Sequence, residues 1–135
     1  ANGAAPEASH RQWLDKDLQR QQIRLQWREF FSEYDAIIMP ISPVPPFPHN
    51  QEGNFGTRDL LSSDGTTRPY ADLVRWTILT GMAYLPSTTA PVGLDEDGLP
   101  VSFQVVGPYG SDYMTIRLAD FIAQHNLGYQ RPPVE

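Results

Sequence analysis

The 135-residue chain has no cysteine, a single lysine and no apolar run near the roughly 18 residues that span a bilayer. Without cysteine there is no disulfide framework, no thiol nucleophile and no thiolate zinc site, and the expectation is an intracellular, cytoplasmic protein. The first residues, ANGAAPEASH, lack the basic flank and apolar segment of a secretory leader, so neither export nor a membrane partner is expected. Basic residues are also scarce. Ten of them face sixteen acidic ones, and the net charge of -6 repels a phosphate backbone, which argues against nucleic acid as a partner. The one lysine, Lys16, sits between Asp15 and Asp17 on early helical turns, a setting that favours its protonated form at the surface.

Self-sufficient catalytic patterns are missing as well. No G-x-S-x-G occurs, which removes the usual signature of a serine hydrolase nucleophile. His10, His49 and His125 fall in a leader, a proline loop and a helix end, with no i,i+4 pairing for a metal. The run Asp95-Glu96-Asp97-Gly98 begins like a calcium loop, but its twelfth position is Val106 rather than Glu, and a hairpin turn explains it. Ser62 and Ser63 have no lysine or histidine nearby in sequence to activate them. The pairs Asp15/Asp17 and Asp95/Asp97 have no apolar surround to part their pKa values. No catalytic residue, metal ligand or cofactor is therefore assigned.

What is present reads as one α/β domain over 9–135 behind a disordered leader, 1–8. Ser9 is a plausible N-cap for a helix running to Tyr34, free of Gly and Pro. Its apolar residues divide between two sides. Trp13, Ile23, Trp27, Phe30, Phe31 and Tyr34 lie on one, suited to this chain's own sheet, and Leu14, Leu18 and Leu25 on the other, which wants a different partner. Residues 34–40 read as an interior parallel strand. A long proline- and glycine-rich loop covers 41–69, and a second helix 70–84 offers several buried faces through Leu73, Trp76, Thr77, Ile78, Thr80, Gly81 and Tyr84. Residues 87–94, 95–98 and 99–107 read as strand, acidic turn and strand. Ser111 can cap a last helix ending at His125, with Tyr113, Ile116, Leu118, Ala119, Phe121 and Ile122 as core and Gly128 as C-cap. The second strand, GLPVSFQVVG, is apolar on nearly every residue, as a strand buried on both faces would be.

Three segments occur in a telling order: Asp35 to Pro43, then Leu85-Pro86 through Pro91-Val92-Gly93, then Gly98-Leu99-Pro100 with Gln104 and Gly107. Over roughly residues 10–133 this closely resembles the C-terminal part of amidase signature family enzymes. One departure is visible. The family often has Asn-x-x-Gly-x-Pro after the second helix, where this chain puts Gly81 and Tyr84. The resemblance implies the C-terminal portion of the amidase signature fold, with about three strands in a small mixed sheet and about three helices. It further implies amide hydrolysis by a Ser-Ser-Lys triad lying in the N-terminal part of such enzymes, with no matching positions here. This chain is thus expected to be inactive alone, its partner being the missing N-terminal half and its small-molecule amide substrate met only in the intact enzyme. By the same resemblance the proline loop and second helix wall the substrate pocket, with Phe47, Arg75 and Trp76 as pocket candidates. Arg75 also has a plainer reading as an i,i+3 ion pair with Asp72, and Trp76 as core.

The alternative is a stand-alone α/β interaction module without catalysis that self-associates through its uncovered helix. Self-association is expected under either reading, because exposed apolar patches of several hundred Å² are rare on monomers.

Overall fold

The computed structural model describes residues 7–62, 64–125, 129 and 131. The expected leader 1–8 and the C-cap at Gly128 lie wholly or mostly outside them. Helix α1 spans His10–Phe30, and Ser9 caps it as expected: its hydroxyl accepts from the Gln12 amide while the Gln12 side chain accepts from the Ser9 amide. Such a reciprocal cap contributes on the order of 1 kcal/mol. The helix stops four residues earlier than the sequence suggests, closing at Phe31, whose N–H reaches back to the Trp27 carbonyl. Trp27, Phe30, Phe31 and Tyr34 stack there into an aromatic cluster with centroids 4.7 to 5.6 Å apart.

The expected α/β architecture with a three-stranded sheet and three helices is observed. Strand β1 (Ile37–Pro40) and, further on, β4 (Ser87–Leu94) flank β5 (Pro100–Val106) in the order β1-β5-β4. Both pairings are antiparallel. Within residues 34–40 only Ile37–Pro40 form a strand, and among the described residues it is an antiparallel edge strand, not the interior parallel strand expected. Their apolar run misled because Met39 is buried while Ile38 beside it is 56% exposed. The truly buried strand is β5, in which Gln104, Val105 and Val106 are closed to solvent. It has a neighbour on each edge, and α3 (Asp112–His125) covers the face carrying Val105.

The long loop carries a short hairpin, β2 (Asp59–Leu61) with β3 (Thr67–Pro69). The second helix opens as a 3-10 turn over Tyr70–Val74 and becomes α2 over Arg75–Ala83. Only Thr80 and Ala83 are buried in α2; Ile78, Leu79 and Met82 face solvent, contrary to the several buried faces expected. Helix α3 likewise buries the small residues Thr115 and Ala119, with Leu118 and Ile122 packed beside them, whereas Tyr113, Ile116 and Phe121 are exposed. Small side chains let the helix approach the sheet closely enough for the Thr88 and Thr115 hydroxyls to hydrogen-bond at 2.9 Å.

No residue of α1 is fully buried, and α1 packs on α2 rather than on the sheet. Its Trp13, Leu14, Leu18 and Leu25 are 45 to 63% exposed.

Candidate functional site

Two of the sequence segments singled out above meet in space. Pro40 to Phe47, leaving the end of β1, form one wall of a groove of about 490 Å³, and Pro100, Val101 and Ser102, opening β5, form the other. The antiparallel register puts Pro40 opposite Phe103, which brings these walls together. The Gly98-Leu99-Pro100 turn is set by Asp95, whose carboxylate accepts from the Asp97 and Leu99 amides at 3.0 and 2.8 Å while Gly98 takes φ +77°.

Gln104 fixes the groove from behind. Its Nε2 donates to the Pro40 carbonyl at 2.8 Å, and its Oε1 accepts from the Ser87 hydroxyl at 2.6 Å. One buried amide thereby joins all three strands through the Pro40 carbonyl and the Ser87 hydroxyl. Gly107, three residues on, is required for a different reason. A Cβ there would stand 2.5 Å from Ser111 Oγ, 2.7 Å from Met114 Cε and 2.8 Å from Thr115 Cγ2, so glycine lets β5 turn into α3 without displacing these side chains. Ser111 itself donates to the Pro108 carbonyl at 2.6 Å.

Of the three pocket candidates, only Phe47 lines the groove. It meets Tyr70 edge-on with centroids 6.2 Å apart, and Tyr70 also contacts Phe55 at 5.7 Å and lies under the Arg58 guanidinium at 5.5 Å. Tyr70 was not legible as a site residue, yet it pins both arms of the proline loop. Arg75 pairs with Asp72 at 2.7 Å, the plainer reading, and its side chain is largely exposed. Trp76 is half-buried on the same helical turn. Neither borders the groove.

The groove carries two hydroxyls, Ser42 and Ser102, but no titratable side chain. The groups with displaced pKa values lie elsewhere. A hydrogen bond from Arg20 holds the Asp17 carboxyl below the usual range, and the Thr66 hydroxyl and amide do the same for Asp64. Among the described residues, no three His, Asp or Glu side chains gather as they would around a metal. The groove can therefore shape and dehydrate an apolar ligand, but it holds no proton donor or acceptor near neutrality.

Tyr84 marks where this chain departs from the pattern. It closes α2 in the left-handed conformation, φ +58° and ψ +35°, at the position where the amidase signature often has glycine. Its ring lies 4.5 Å from the Arg20 guanidinium and 5.1 Å from that of Arg24, which ties α1 to the end of α2.

The fold and these segments agree with comparison to known proteins. The amidase family pattern matches residues 2–116. The chain belongs to the amidase family. It is 31% identical over 104 residues to a glutamyl-tRNA(Gln) amidotransferase subunit of Salinibacter ruber, covering 76% of this chain and 18% of that one. With the same subunit of Rickettsia bellii it is 33% identical over 92 residues, 68% of this chain and 16% of the other. It thus spans less than a fifth of the length of these two relatives. A solved amidase structure superposes with a TM-score of 0.72 at 23% identity, over 88% of this chain and 26% of that one. The solved glutamyl-tRNA(Gln) amidotransferase subunit from Thermotoga maritima superposes with 0.65 at 29% identity, over 84% and 23%. No helix among the described residues is long and apolar enough to cross a membrane.

Proposed function

We propose that this chain is the C-terminal part of a cytoplasmic amide hydrolase, supplying scaffold and one wall of the substrate pocket while the catalytic serines and lysine come from the remainder of the enzyme. The observation that carries this reading is the convergence of the Pro40–Phe47 and Pro100–Ser102 segments on a groove without any titratable group. Such a wall can position the apolar part of an amide against catalytic groups brought by another segment, but it has no nucleophile activated by a base. Under this reading Phe47 contacts substrate, whereas a pocket role for Arg75 and Trp76 requires that the pocket of the intact enzyme extend beyond this groove.

The test is an amidase assay on the isolated chain with a panel of aliphatic and aromatic primary amides. No turnover above the buffer background is expected, and restored turnover is expected when an N-terminal amidase portion is co-expressed. Hydrolysis by the purified chain alone overturns the proposal. A non-catalytic module that self-associates is the second reading, favoured by Trp13, Leu14, Leu18 and Leu25, all 45 to 63% exposed on α1. Indifference to a supplied N-terminal amidase portion supports it.

A further inference from the structure

A second groove, of about 560 Å³, lies between the C-terminal half of α1 and the segments that follow α2 and β5. Arg24 and Arg28 stand on its α1 wall one helical turn apart, facing Leu85, Pro108 and Tyr109. Arg24 is held in place. Its guanidinium lies 5.1 Å from the ring centroids of both Tyr84 and Tyr109, and Nη1 donates to Gln21 Oε1 at 3.1 Å. These contacts orient the charge without neutralising it.

Two other arginines, one on α1 and one on α2, have a carboxylate partner. Arg20 holds Asp17 at 2.6 Å and Arg75 holds Asp72 at 2.7 Å. Among the described residues, no carboxylate comes within ion-pair distance of Arg24 or Arg28, although the chain is acidic by six charges. Asp17 feels the field of Arg24, but its oxygens are engaged by Arg20 and Gln21. The helix C-terminus favours a cation at Arg28, while the two like charges at i,i+4 oppose each other. Two guanidiniums without a carboxylate partner, Arg24 oriented by Tyr84, Tyr109 and Gln21 and Arg28 exposed beside it, border a largely apolar concavity and suit a carboxylate, which guanidinium forks recognise well.

We propose that this groove binds a carboxylate carried on an apolar body, the carboxylate bridging Arg24 and Arg28 and the body resting on Leu85, Pro108 and Tyr109. The groove's volume falls within the range of about 300–1,000 Å³ typical of ligand sites. It shares no residue with the proline groove, so this inference stands apart from the amidase reading. A free organic acid and an acidic side chain flanked by apolar residues on a neighbouring polypeptide present the same chemistry.

The test is an NMR titration of the full isotope-labelled chain, following the Leu85 and Tyr109 amides and the arginine Nε–H signals. Three probes are used: phenylacetate, neutral phenylacetamide, and the peptide acetyl-Leu-Glu-Phe-amide. Saturable shifts with phenylacetate are expected, at least about tenfold tighter than with the amide, the difference one charge-assisted pair contributes. Arg28→Gln, at an exposed position that leaves folding intact, weakens binding several-fold, and Arg24→Lys, which keeps the charge but loses the fork, weakens it as well. A peptide that binds tighter than phenylacetate assigns the site to a neighbouring polypeptide; the reverse order assigns it to a free acid. Equal shifts from acid and amide, no saturation by about 20 mM, or indifference to Arg28→Gln overturns the proposal. No amide turnover is read, so failure here leaves the amidase reading untouched, and the converse holds too.

Discussion

Gln104 and Pro40, 64 positions apart in sequence, are joined by a 2.8 Å hydrogen bond from the Gln104 side chain to the Pro40 carbonyl, and the same amide receives the Ser87 hydroxyl. That contact turns two separate sequence segments into one groove.

Replacing Gln104 by Ala removes both side-chain bonds that join the strands and truncates a buried side chain. A loss of about 2–4 kcal/mol is expected. Urea unfolding of the variant against Ser102→Ala checks this, since Ser102 lines the groove without a comparable bond and its change is expected to stay within about 0.5 kcal/mol.

Gly107→Ala places a methyl against Ser111, Met114 and Thr115 at the start of α3. Those side chains or the backbone carrying them must give way, Met114 most easily and the buried Thr115 least, at a cost of about 1–3 kcal/mol. Thermal unfolding followed by circular dichroism reads it. Gly98→Ala is destabilising for another reason, a positive φ with open space around it, and costs about 1 kcal/mol.

At Tyr84 two effects oppose each other. A non-glycine residue in the left-handed region costs about 1–2 kcal/mol, and the ring regains about 0.5–1 kcal/mol from each arginine it meets. Tyr84→Gly is therefore expected to be nearly neutral in global stability, while Tyr84→Ala, which keeps the backbone cost and loses the ring, destabilises. Hydrogen exchange distinguishes the two effects: α1 amides lose protection in both variants, because α1 reaches α2 through Arg20 and Arg24 on this ring.

Much of this order was readable in the residues. Ser9 with Gln12 announces the start of α1, and Asp95 with Gly98 announces the β4–β5 turn, because both signals act within four residues. The antiparallel edge position of β1 was not readable. Its identity depends on what pairs with Ile37 to Pro40, and an apolar tetrapeptide carries no mark of strand direction. The exposed side chains of α2 and α3 misled for a related reason: Ile78, Ile116 and Phe121 are apolar, yet nothing within the described residues covers them. Phe47 was found at the groove because its loop follows directly from β1. Tyr70 was missed because its role lies in contacts to Phe47, Phe55 and Arg58, which no local spacing reveals.

Acid should break the Asp17–Arg20 pair within α1. Arg20 lowers the Asp17 pKa in the folded chain, so that contribution is complete above the unfolded carboxylate value, about 3.9, and is lost as pH falls through the lower folded value. The pair should hold from neutrality down to about pH 4 and weaken below it. A carboxyl-carbon NMR titration of Asp17 is expected to give a midpoint below that of Asp17 in Arg20→Gln. Coincident midpoints contradict the assignment.

The exposed apolar side chains of α1, Trp13, Leu14, Leu18 and Leu25, set the most direct trial. Sedimentation velocity across a concentration series should show this polypeptide associating with itself, as Trp13, Leu18 and their neighbours find cover on a second copy. A single sedimenting species of monomer mass at the highest concentration contradicts the conclusion that these helices were shaped to lie against more protein.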